Sequence, residues 1–101
     1  MPYGVRVEMT PDGLFRTMIS EFDPGTGKTH GYMEITECED LEYGTRECIR
    51  RFEKRWADQN RVVTYVFNPI TNAWEEPDCI TVAEATFASY HHLGIKAPVA
   101  S

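Results

Sequence analysis

The stretch EFDPGTGKTHG, residues 21–31, contains GTGKT, and its reading decides the fold. Taken as the end of a phosphate-binding loop, it joins a strand to a helix. Taken as a turn, it joins two antiparallel strands. A phosphate-binding loop has the form G-x-x-x-x-G-K-[ST], and it works because the following helix turns its N-terminal amides toward the phosphates. Matching Gly27, Lys28 and Thr29 to the end of that pattern puts its first glycine at position 22, which is Phe22. The residues that follow, HGYMEIT, alternate in character and carry no helix start. Both requirements fail.

The chain also supplies its own comparison. FDPGTGK at 22–28 recurs as FNPITNA at 67–73, with the shared pattern F-[DN]-P-x-T-[GN]. The second copy has neither the lysine nor the GKT context. What survives is what a four-residue hairpin loop needs. Asp23 or Asn68 accepts backbone hydrogen bonds, Pro24 or Pro69 presets φ, and Gly27 or Asn72 tolerates the left-handed region at the loop's end. The second loop sets Phe67 opposite Trp74, an aromatic cross-strand pair.

Working outward, YGVRVEM sets Tyr3, Val5, Val7 and Met9 against Gly4, Arg6 and Glu8, the period of a half-buried strand. Pro11 and Gly13 mark a turn, and LFRTMISEF returns. Pairing Thr10 with Leu14 puts Glu8 opposite Arg16 and Val5 opposite Ile19, so charge meets charge and apolar meets apolar. THGYMEITE reads as a third strand and RVVTYVF as a fourth, with a short fifth around Ala73–Glu75. A helix is expected from about Thr45 to Gln59, with Cys48, Ile49, Phe52 and Trp56 on one face and the acids Glu39, Asp40 and Glu42 before its start. A second helix begins at a capping box, Thr81 with Glu84, and stops at Gly94. Its expected buried face is Ala83, Phe87, Tyr90 and Leu93.

The order is β-β-β-α-β-β-α. It predicts an α+β two-layer sandwich, a five-stranded mostly antiparallel sheet with both helices on one face. If the first helix crosses over, strands three and four run parallel. A chain of 101 residues makes one domain, taken as 1–95, with a frayed tail at 96–101. An apolar fraction of 42% and a charged fraction of 26% set it among globular and not disordered chains.

Composition also narrows function. A net charge of −6 argues against nucleic acid as a partner, since phosphate binding needs a basic surface. No stretch approaches the roughly 20 apolar residues of a membrane helix, and the N-terminus lacks the basic flank and apolar run of a signal peptide. Cys38, Cys48 and Cys79 are odd in number and unpatterned, which points to a reducing, cytoplasmic setting.

No motif carries an obvious chemistry. The histidines His30, His91 and His92 form no H-x-x-x-H spacing and the cysteines no C-x-x-C, so neither a metal nor a cofactor is expected. Cys48 reads as helix packing; Cys79 lies just before a helix, where the dipole favours a thiolate. The acids Glu34, Glu37, Glu39, Asp40 and Glu42 lack calcium-loop spacing. Charge is uneven: residues 45–58 hold Arg46, Arg50, Arg51, Lys54 and Arg55 against three acids, net +2, and the rest of the chain carries −8.

These features favour a non-catalytic acidic interaction module that binds itself as a homodimer, or another protein, through the basic helix or exposed strand edges. The competing reading is a small-molecule-binding domain or minor enzyme. Its aromatic pocket between sheet and helices would be lined by Phe15, His30, Tyr32, Glu34, Tyr65, Phe87 and Tyr90.

Overall fold

The computed structural model describes residues 2–94, so the tail expected at 96–101 lies outside the described residues. Strands β1 (Tyr3–Met9), β2 (Phe15–Phe22) and β3 (Thr29–Cys38) precede helix α1 (Leu41–Arg55). Strands β4 (Val63–Asn68) and β5 (Ala73–Glu75) precede helix α2 (Val82–Tyr90). The five strands form one sheet in the order β3-β2-β1-β4-β5, mixed but mostly antiparallel.

The first hairpin has the register that matches its side chains. Val5 opposes Ile19 and Glu8 opposes Arg16, with the loop closed by Thr10 N donating to Leu14 O at 2.8 Å. Gly13 takes φ +86° in that loop. GTGKT is a hairpin loop. Asp23 N donates to Lys28 O at 2.9 Å, Asp23 Oδ1 accepts from Gly25 N at 2.8 Å, and Gly27 sits at φ +72°. The second loop repeats this, with Asn68 Oδ1 accepting from Ile70 N at 2.9 Å and Asn72 at φ +57°. Phe67 lies opposite Trp74.

The connection through α1 carries the chain from β3, past β2 and β1, to the far side of β1. There β4 pairs parallel with β1, Val5 beside Val66. Strands three and four therefore point the same way without being neighbours. An extra residue, Thr64, interrupts the register between Val63 and Tyr65.

Helix α1 starts four residues before the expected Thr45. Asp40 is its N-cap, accepting from Tyr43 N at 2.8 Å, and Glu42 lies in the first turn, not before it. Gly44, outside the helix expected from Thr45, lies inside it where the helix passes close to β3: a Cβ there would come within 2.9 Å of Cys38 Cβ. The helix ends at Arg55, and residues 57–59 continue as a 3₁₀ turn.

Helix α2 begins at Thr81, whose Oγ1 accepts from Glu84 N at 3.1 Å. Its buried face is rotated from the expected one. Thr86 and Tyr90 are buried, and Val82, Ala85 and Leu93 pack on the core. Thr86 fits there because its hydroxyl donates to Val82 O at 2.7 Å. Phe87 is only half-buried, under the Arg46 guanidinium 5.0 Å from its ring centre.

The core between sheet and helices consists of Val5, Val7, Phe15, Ile19, Val63 and Val66 from the sheet, Cys48 and Phe52 from α1, and Tyr90 from α2. Burial pushes the Tyr90 phenol up to about 12 and the Cys48 thiol up to about 11. At neutral pH neither is charged, and Cys48 acts as a packing residue and not a nucleophile.

Candidate functional site

Because side chains alternate along a strand, the residues between the core positions face the other way, and no helix among the described residues covers them. Cross-strand partners set them in three rows. The first is Glu37, Arg16 and Glu8; the second is Ile35, Met18 and Arg6, continued by Phe67 and Trp74; the third is Tyr32, Ser20, Gly4 and Tyr65.

The first row is largely paired, two carboxylates on one guanidinium, and keeps a net charge of −1. Arg16 bridges Glu8 at 2.8 Å and Glu37 at 3.0 Å, and both carboxylates, Glu37 foremost, raise its pKa. On the β3 side of the other rows, Tyr32 and Ile35 are each 48% exposed beside a Met18 that is 2% exposed. This is apolar surface with no covering element among the described residues.

On the β4 and β5 side, four rings converge. Trp74 stacks on Phe22 with ring centres 4.5 Å apart and planes 14° apart. Tyr65 meets Phe22 edge-on at 4.9 Å, and Phe67 meets Trp74 at 5.3 Å. Edge and offset contacts of this kind contribute about 0.5–1.5 kcal/mol each beyond area burial. Gly4 makes the arrangement possible, since a Cβ there would collide with Trp74 Cζ3. The Arg6 guanidinium lies 4.9 Å from the centre of the Phe67 ring, and the Glu76 carboxylate beside Tyr65 raises its phenol pKa. These side chains floor a groove of about 690 Å³ that reaches both repeated loops, at Pro24–Gly27 and at Asn72.

The cations of α1 are exposed but largely engaged. Glu47 accepts from both Arg50 and Arg51, the latter at 3.1 Å, and Arg55 approaches Glu34 at 3.5 Å. Arg46 covers Phe87, which leaves Lys54. Hydrogen bonds from Arg50, then Arg51, hold the Glu47 carboxyl down at about 2.

The sheet divides the seven residues expected around one pocket. Phe15 and Tyr90 are buried in the core, and Glu34 lies on the helix side, paired with Arg55. Tyr32 and Tyr65 stand in one row of the uncovered face, His30 is exposed near the start of β3, and Phe87 lies under Arg46 of α1. Arg6, Phe22, Phe67 and Trp74 were absent from that set. Their signal is the alternation that leaves Phe22, Phe67 and Trp74 out of phase with Ile19 and Val66.

The sheet edges are blunted. Strand β3 carries two register irregularities against β2, and β5 is three residues long. Both devices oppose edge-to-edge pairing. Among the described residues no three or more His, Cys, Asp or Glu side chains converge as metal donors, and no helix is long and apolar enough to cross a membrane. Comparison with protein-family models, curated proteins and solved structures finds no match for this chain.

Proposed function

We propose that this protein is a non-catalytic interaction module whose contact surface is the uncovered face of the sheet, with a second copy of itself as occupant of the β3 half. One observation carries the reading: Tyr32 and Ile35, each 48% exposed, stand side by side with buried Met18 on a face without a covering layer. The adjoining Glu37–Arg16–Glu8 row balances much of its own charge. Two copies of a chain with net charge −6 can therefore meet there with little like-charge repulsion. Pairing of Arg50 and Arg51 with Glu47 and of Arg55 with Glu34, together with blunting of both edges, favours the face over either of those surfaces.

Size sets the strength. Three strands about 4.8 Å apart (β3, β2 and β1) make this half roughly 14 Å wide and roughly 20 Å long, or about 300 Å² per partner. The total of about 600 Å² is below that of a stable specific interface, so the self-contact is weak and transient. The three free cysteines fit a cytoplasmic setting.

Sedimentation velocity from micromolar to millimolar concentrations tests this. Wild type dimerises, Ile35→Lys does not, and Lys54→Ala behaves as wild type. A dimer that survives Ile35→Lys contradicts the proposed surface, and a wild-type monomer throughout contradicts self-association.

A further inference from the structure

We propose that the aromatic groove at the β4–β5 half of the same face is a peptide site, taking an aromatic side chain adjacent to a carboxylate. It is a second contact, distinct from self-association through the β3 half.

Arg6 carries the inference. Two arginines stand on this face, and they are treated differently. Arg16 has a carboxylate on each side. Arg6 makes no ion pair or side-chain hydrogen bond with any described residue, and its Nε is shielded from solvent without a partner. It is also the one charged residue lining the groove. A guanidinium has five donors in a fixed fork that fits a carboxylate. In a chain with 16 acids and 10 bases, an arginine that rests on the Phe67 ring without a carboxylate is accounted for by an anion that arrives with the ligand.

The rings supply the rest. Trp74, Tyr65 and Phe67 are half-buried and held in place around the fully buried Phe22, so little ordering is needed for them to receive another ring. The groove is half-open and runs from one repeated loop to the other, which suits a segment of extended chain more than an enclosed small molecule. A single carboxylate is compatible with a net charge of −6, whereas a polyanion is not.

The test uses two minimal probes on the whole protein: N-acetyl-phenylalanine, with a free carboxylate, and its neutral amide. Nitrogen–proton correlation spectra report the Gly4 amide and the Trp74 indole, with the Trp56 indole on the helix side as internal control. The carboxylate probe shifts Gly4 and Trp74 saturably and leaves Trp56 unmoved. The amide binds about tenfold more weakly or worse, as expected for loss of a charge-assisted hydrogen bond. Arg6→Gln removes the difference between the probes while the spectrum stays folded. Equal binding of both probes, no shift at Gly4 and Trp74, or stronger saturation by adenosine monophosphate overturns the proposal. Because the probe comparison is made on wild type, it stands even if the variant fails to fold. Because dimerisation is read at Ile35, the two proposals fail separately.

Discussion

The two faces of one sheet are built from the same strands and are held together in different ways. On the covered face, aliphatic Val5, Val7, Ile19, Val63 and Val66 meet Cys48, Phe52 and Tyr90 of the helices. On the other, charge rows, half-exposed apolar side chains and mutually stacked rings take their place, with no helix above. One face is stabilised by burial under another element and the other by contacts within its own layer. Rings that stack on one another can remain partly exposed without collapsing, and so can hold a surface ready for a partner.

Substitutions separate the two faces by magnitude. Phe52→Ala, in a fully buried site of the covered face, is expected to cost about 3–5 kcal/mol, read as a lower urea midpoint. Gly4→Ala, on the uncovered face, should cost about 1–3 kcal/mol and alter the near-ultraviolet signal of Trp74, because the new methyl displaces that ring. A loss as large as that at Phe52 would mean the aromatic cluster is a second core, and the contrast would break. Gly27→Val belongs to neither face: nothing lies within 4 Å of its Cβ position, so only its left-handed φ is strained, by about 1–2 kcal/mol. Lys28→Ala is expected to stay within about 0.5 kcal/mol. Equal losses from those two would remove the turn assignment of GTGKT.

The smallest effect is a pH dependence on α1. The Glu47 carboxyl titrates at about 2 in the fold against 4.5 when free, so its contribution is fully present above 4.5 and is lost as pH falls toward 2. Glu47→Gln should therefore melt below wild type by a constant margin above pH 5, and the margin should shrink as pH falls from about 4.5 toward 2.

Much of the fold was legible because it is local. Charge pairing fixed the first hairpin, a carboxylate or amide two residues before the loop tip marked both later hairpins, and Thr81 with Glu84 marked the start of α2. The misreadings come from packing between elements, which the local pattern does not state. Gly44 looks like a helix boundary until Cys38 is seen against it. The parallel pairing of β1 with β4 depends on where the α1 crossover lands, which no local pattern states. The groove was hidden for the same reason: Phe22 and Trp74 stand on strands three places apart, and only the strand order brings them together. Tyr65 was assigned to the helix side, but it stands with Gly4 on the uncovered face, past the irregularity at Thr64.

The most direct measurement is relaxation enhancement by a soluble nitroxide, read on side-chain protons in dilute and in concentrated protein. Ile70 and Tyr43, 74% and 64% exposed and outside the three rows, serve as controls. A docking face predicts that Ile35 methyls and Tyr32 ring protons become shielded on concentration while Ile70 and Tyr43 remain attacked. Ile35 and Tyr32 attacked equally at both concentrations would contradict it.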